Sequence, residues 1–376
     1  MRASSPPAAP DLISNRGAAP CEAAAAPALA LLALINAAWT TQVIHAACVH
    51  QLADHIAEGA ADVSTLSAAT GCDADALARL LRAMAAIGLC EQVVVDVDVD
   101  GDGHGGTTPR CWRLTSMGQC LRIDGPGSLH HWALHAGGSM WQRQGELAEA
   151  VRTGRSWAQR RGAAHTYEQL LADTAAATVF HRAMVDLTRQ AIPQIVPLLE
   201  VGGARVVVDV GGGRGELLAA VLAQHPLARG VLFDQPSALN GAHGVLGRAG
   251  VGERCRLEGG DFFAMVPAQG DLYLMKSVLH NWDDRHCISL LAVCAAAMPR
   301  DARLLVIERL MPDEAGRGAR HQACARSDLN MLVSLTGRER RAVEYKQLLA
   351  GAGLAVAATR ESSGDWAVIE ARHADV

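Results

Sequence analysis

Val206-Val207-Val208-Asp209-Val210 runs directly into Gly211-Gly212-Gly213-Arg214-Gly215-Glu216. A continuous β-branched run of this length suits a strand buried on both faces of a sheet. The glycines after it let the backbone turn tightly and approach a ligand closely. A dinucleotide fingerprint wants glycine at positions 211, 213 and 216, but Glu216 occupies the last of these. A phosphate-binding loop ending in Gly-Lys-Ser/Thr is also absent. What remains is Asp209-x-Gly211-x-Gly213-x-Gly215. An acid ahead of the glycines suits a cationic ligand group, such as an amino-acid ammonium, rather than a pyrophosphate.

Outward from this segment the pattern alternates. Strands are expected at 205–210, 230–233, 254–258, 272–275, 303–307, 355–359 and 366–370, with helices at 216–224, 284–298 and 344–350. Alternating strands and helices predict an α/β fold, a mostly parallel seven-stranded sheet covered on both faces. Ligands of such sheets sit at the carboxyl ends of the strands. Two more acids fall there. Asp234 closes the second strand, where a carboxylate can accept from ribose hydroxyls. Asp261 follows the third, in Gly260-Asp261-Phe262-Phe263, where it can accept from an adenine amine with Phe262 beside the ring. One such acid alone is more often a helix cap. Three at successive strand ends point to S-adenosylmethionine, with Asp209, Gly211, Gly213, Gly215, Asp234, Asp261 and Phe262 holding it.

The fourth strand leads into Lys276-Ser277-Val278-Leu279-His280-Asn281-Trp282-Asp283-Asp284. A histidine at a strand end is commonly a hydrogen-bonded structural residue. His280 stands at the ligand end of a central strand, however, with Asp283 or Asp284 capping the next helix. An imidazole with an ordinary pKa near 6.5 is suited to accepting a proton at neutral pH.

The whole chain has 376 residues, half of them hydrophobic, 19% charged and 4% aromatic, with net charge −5. It can bury a large core, which excludes global disorder, and it lacks the basic stripe of a nucleic-acid binder. Ten cysteines without a Cys-x-x-Cys pair read as reduced thiols, with no structural metal. Residues 1–20 read as a flexible tail without a signal peptide, which implies a cytoplasmic protein. The apolar stretch 23–39 is mostly alanine and is broken by Pro27 and Asn36, so it reads as an interface or core helix and not a membrane span.

Residues 21–120 carry three helical segments and then a hairpin, a winged-helix-like pattern. One helix runs through Val43, Ala47, Leu52 and Ile56. Another is capped by Asp73 and ended by Gly88. The strands alternate through 93–99 and resume at 110–114. Arg79 and Arg82 beside Asp73 and Asp75 are too little charge for DNA. Asp96-x-Asp98-x-Asp100-Gly101 resembles the start of a calcium loop, but its twelfth position is Thr107 rather than glutamate. A solvated hairpin face is the simpler reading. Residues 121–195 are helical, and Trp132, Trp141, Trp157, Phe180 and Met184 there either pack a core or wall an apolar pocket. Residues 196–376 form the ligand-binding α/β domain.

Val208-Asp209-Val210-Gly211-Gly212-Gly213-x-Gly215, Phe233-Asp234-x-Pro236, Gly260-Asp261-Phe262-Phe263, Lys276-x-x-x-His280-x-Trp282-x-Asp284 and Gly337-x-Glu339-Arg340 together resemble one family. It is the two-domain, S-adenosylmethionine-dependent O-methyltransferases of small aromatic and natural-product acceptors, which include caffeic acid, hydroxyindole and bacterial secondary-metabolism enzymes. Arg79-Leu80-Leu81-Arg82 with Ile87-Gly88 matches the family's N-terminal dimerisation domain. The resemblance runs from about Ala30 to Glu370. It implies a Rossmann-like class I methyltransferase domain and a winged helix that serves homodimerisation. It further implies that His280 deprotonates an acceptor hydroxyl and that Glu308 and Glu339 orient it. Lys276 would lie by the adenine pocket, and Met184, Trp282 and Met331 at the acceptor. Asn281 and Leu335-Thr336 depart from the plant pattern and bear on which acceptor is used. Two alternatives keep parts of the reading: methylation of nitrogen or carbon on the same fold, and a winged-helix ligand sensor without turnover.

Overall fold

The computed structural model describes residues 20–59, 61–94, 110–162 and 173–374. The expected tail, apart from Pro20, and the loop at 96–101 lie outside them. In the α/β portion every expected strand is found: β3 (Val206–Val210), β4 (Arg229–Asp234), β5 (Cys255–Gly259), β6 (Leu272–Lys276), β7 (Arg303–Glu308), β8 (Leu354–Glu361) and β9 (Ala367–His373). They form one sheet in the order β5-β4-β3-β6-β7-β9-β8. The first five strands are parallel. β9 runs antiparallel to both β7 and β8.

Because side chains alternate along a strand, each central strand feeds two cores. Val208, Val210, Tyr273, Met275, Leu304 and Val306 pack against the helix Asp284–Ala297. Val207, Leu232, Leu274 and Leu305 pack against the helix Glu216–Gln224 on the other face. The chain proceeds in opposite directions on the two sides of β3, so the crevice at the carboxyl ends of β3 and β6 is a topological switch point. The glycine loop, Asp234, His280 and Glu308 all lie along that edge.

The N-terminal part holds the helices Pro20–Asn36, Ala38–Val49, Leu52–Ala57, Val63–Thr70 and Ala74–Ala86, then the antiparallel pair β1 (Cys90–Val94) and β2 (Arg110–Leu114). Asp73 accepts from the Ala76 N–H, and Gly88 takes the left-handed conformation expected of it. The helix expected through Val43 and Ile56 is in fact two. Gln51, at φ 51°, breaks it, and Leu52 and Ile56 then turn into a small core with Leu66, Leu81, Met84 and Trp112.

The core reading of the first helix is overturned. Leu29, Leu31, Leu32, Leu34 and Ile35 are 50–75% exposed. The stretch Ala26–Val49, with mean hydropathy 1.5, is by length and composition alone able to cross a membrane. Its apolar side chains require a covering surface.

The N-terminal part is tied to the rest by the helix Thr174–Ile195. Its buried Asp186 accepts from the N–H groups of His131 (2.9 Å) and Trp132 (3.0 Å), which open the helix His130–Gly137. Those donors would otherwise be unsatisfied at a helix start.

Candidate active site

The glycine loop is shaped for close approach. Gly211, Gly213 and Gly215 all have positive φ, from 59° to 83°, which side chains rarely tolerate. Asp234 anchors the loop, accepting from the Gly213 N–H at 2.8 Å through Oδ2 and from the Gln235 N–H at 2.7 Å through Oδ1. Each oxygen keeps a second lone pair for a ligand hydroxyl. Burial raises this carboxyl's pKa, with the two N–H contacts opposing.

Asp209 lies beneath the loop, only 1% exposed, and among the described residues its Oδ2 has no hydrogen-bond partner. Burial pushes it up to about 7, against the pull of Lys276. An orphaned buried acceptor beside a glycine bend fits a ligand ammonium. Asp261 is exposed and starts a turn, accepting from the Phe263 N–H at 2.9 Å. Phe262 stands beside the loop, within contact of Gly211. The donor and acceptor set along this edge therefore suits a nucleoside carrying an amino acid.

Lys276 closes β6. Strand alternation sends it to the face of Asp209, where it sits 5.5 Å from the Trp366 ring centre, and burial pushes it down to about 8. Trp282 is 8% exposed. Its ring packs edge-on against Phe263 (4.6 Å) and Phe262 (6.0 Å) in the core beneath the loop after β5. It follows a short 3₁₀ turn, Leu279–Asn281, with extended backbone, and so folds back under the sheet edge.

His280 sits in that turn, 9% exposed. Ser277 before it adopts φ 54°, a conformation uncommon outside glycine. Two carboxylates fix the turn and the ring it carries. Glu308, at the end of β7, accepts through Oε1 from the N–H groups of Val278 (3.1 Å), Leu279 (2.9 Å) and His280 (3.3 Å). Glu339 accepts through Oε1 from His280 Nδ1 at 2.9 Å and from the Ser327 hydroxyl at 2.6 Å. Glu308 Oε2 lies 3.7 Å from the same Nδ1. With Nδ1–H donated to Glu339, Nε2 is left as the acceptor. Burial alone would lower the imidazole's pKa, but the two carboxylates outweigh it and hold it above 6.5. Burial also opposes the charge on Glu339, yet His280 and Ser327 keep its pKa below the ordinary value.

The structure thus gathers His280, Glu308 and Glu339. It leaves the expected aromatic cluster divided: Trp132 and Phe180 meet through His135, Trp141 is at the surface, and Trp157 lies under Arg161. Met331 is buried on the helix Ala319–Ser334, and Met184 is half-buried on Thr174–Ile195.

Residues 144–355 match the O-methyltransferase domain family, and residues 32–122 match the O-methyltransferase dimerisation domain. The chain belongs to the O-methyltransferase family. It is 33% identical to phenazine O-methyltransferase PhzM of Lysobacter antibioticus, over 91% of this chain and 95% of that protein. The O-methyltransferase NcsB1 from neocarzinostatin biosynthesis, crystallised with S-adenosylmethionine and 2-hydroxy-5-methyl naphthoic acid, superposes with a TM-score of 0.70 at 31% identity, covering 89% of this chain and 96% of that one. The chain is also 31% identical to 8-amino-8-demethylriboflavin N,N-dimethyltransferase of Streptomyces davaonensis, over 88% of this chain and 91% of the relative. It is accordingly an S-adenosylmethionine-dependent methyltransferase, and the sensor reading is set aside.

Sequence reasoning missed the clamp around the histidine turn. Arg340 is fully buried, donating to the carbonyls of Leu279 (3.0 Å) and Trp282 (2.6 Å) and to Asp284 (2.9 Å). A Cβ at Gly337 would overlap the His280 carbonyl. The signal was present in Gly337-x-Glu339-Arg340, but nothing local in the sequence says that its partners lie some 60 residues away.

Proposed function

We propose that this O-methyltransferase transfers a methyl group to a hydroxyl of a small aromatic or natural-product acceptor, with His280 as general base. The observation that carries the reading is the bond from His280 Nδ1 to Glu339 at 2.9 Å, which leaves Nε2 as a proton acceptor at the switch-point crevice. S-adenosylmethionine supplies a methyl group that is already electrophilic. Asp209 takes its ammonium, Asp234 its ribose hydroxyls, and Asp261 with Phe262 its adenine. Lys276 supports the charge of Asp209 from the same sheet face, and Met184 and Met331 line the acceptor. Holding the acceptor oxygen in line supplies about 7–11 kcal/mol of a barrier, and general base catalysis about 10²–10⁴-fold. No step in this scheme calls on a metal ion.

The N-terminal apolar helix and the dimerisation-domain match support a homodimer, whose second copy would cover Leu29 to Ile35. A cytoplasmic location agrees with free cysteines throughout the described residues.

Mass-spectrometric screening of phenolic, quinone and heteroaromatic acceptors with the purified enzyme tests the reading, with a mass gain of one methyl for hydrogen expected on oxygen. The N,N-dimethyltransferase relative favours a second reading, in which nitrogen is the acceptor. An amine nucleophile needs less help from a base. Paired acceptors that differ only in hydroxyl against amine separate the two readings, because only the hydroxyl partner should depend on His280.

A further inference from the structure

The helix Ala319–Ser334 presents Ser327, Asn330, Met331 and Ser334 on one face, at the i, i+3, i+4, i+7 spacing. Ser327 marks the His280 end of that face through its bond to Glu339. At the other end Ser334 bonds Asn330 at 3.2 Å and accepts from Arg143 Nε at 3.2 Å. Seven residues of helix separate the two serines by about 10 Å.

Arg143 lies on the helix Ser139–Gln144, and among the described residues it meets no carboxylate. Burial works against its charge. Its charge is felt by the buried His135, whose ring burial and Arg143 together push down to about 4, so that this neighbour stays neutral. Among the described residues this half-buried guanidinium is held by Ser334 alone, through Nε, and its two NH2 groups bond no other described side chain. The planar fork suits a carboxylate.

Resting on the methyltransferase reading above, we infer that Arg143 selects acceptors carrying a carboxylate, which it holds about two helical turns from the hydroxyl presented to His280. The acceptor is then an elongated hydroxyarene carboxylate. Its apolar body lies along Met331, with Phe180 and His135, 5.5 Å apart, at the Arg143 end.

Calorimetry on enzyme saturated with S-adenosylhomocysteine, using a hydroxynaphthoate with its two groups at opposite ends and the matching carboxamide, tests this. The carboxylate should bind about tenfold or more tightly than the amide. Arg143→Met should abolish that preference, and Arg143→Lys should keep part of it. Ser334→Ala, which breaks the serine bond but leaves the charge, should keep most of it. A wild-type enzyme indifferent to the carboxylate, or Ser334→Ala as damaging as Arg143→Met, overturns the inference. Methyl transfer measured on the same pair keeps the two claims apart. Transfer to both compounds without preference defeats Arg143 alone. Selective carboxylate binding without transfer to any acceptor defeats the methyltransferase reading and leaves Arg143 standing.

Discussion

His280 Nδ1 and Glu339 Oε1 are 2.9 Å apart although 59 positions separate them in the chain. The ring is held by a carboxylate from the loop after one helix, while its backbone is held by Glu308 from a strand. Orientation and position of the imidazole therefore have separate sources.

His280→Ala should retain S-adenosylmethionine binding and lose about 10²–10⁴-fold in turnover of a hydroxyl acceptor. Because the carboxylates hold the imidazole's pKa above 6.5, the acid limb of kcat/KM should turn above pH 6.5, with the rate rising as the ring loses its proton. Glu339→Gln removes one of those charges, so it should shift that limb to lower pH and slow turnover by about 10–100-fold. A pH–rate profile of the three proteins decides the matter, and an unmoved limb in Glu339→Gln would remove its role.

Asp209 and Asp234 separate by pH. Asp209 is raised from 3.8 to about 7, so in the free enzyme it holds a proton below pH 7 that an unfolded chain would hold only below about pH 4. Its contribution to stability is thus fully present at low pH and is lost as pH rises through 7. A ligand ammonium binding to the ionised form must displace that proton. S-adenosylmethionine binding below pH 7 should release close to one proton, detectable by calorimetry in buffers of different ionisation enthalpy, and Asp209→Asn should abolish the release. Asp234→Ala should weaken binding about tenfold or more at every pH, since it removes the proposed ribose contacts and the Gly213 anchor together.

Gly337→Ala should lower the melting temperature and cost about 1–3 kcal/mol, because the added methyl has to push away the His280 carbonyl. Turnover should fall more than cofactor affinity. Thermal unfolding beside a binding titration checks this. Wild-type stability in the variant would mean that the loop yields easily.

His280, Glu308 and Glu339 bring one nitrogen and two carboxylate oxygens within 4.8 Å of one another, a donor set that also suits a cation. Here Glu308 Oε1 is occupied by three N–H groups, and Glu339 Oε1 by His280 and Ser327. The proposed chemistry leaves the rate unchanged, within about twofold, after exhaustive treatment with EDTA. A loss reversed by adding a divalent ion would assign the triad to a metal instead.

The sheet and its ligand edge were legible in the sequence because buried parallel strands write themselves as runs such as Val206–Val210 and because the acids fall at their ends. The histidine turn was half legible. His280 could be placed, but the resemblance alone suggested Glu308 and Glu339, and their division of labour between backbone and ring needed coordinates. The surroundings of Lys276 and Trp282 were not legible, because a motif gives the order of residues, while strand alternation and a 3₁₀ turn decide which side each one faces. The break at Gln51 was invisible, since glutamine carries no helix-stop signal. The exposure of Leu29 to Ile35 cannot be read from an apolar pattern that equally suits a core.

The clamp around His280 acts on main-chain atoms. Arg340 grips two carbonyls and Glu308 three amides. The station of the imidazole is therefore written into main-chain atoms held from two distant parts of the chain, Arg340 after one helix and Glu308 at the end of a strand.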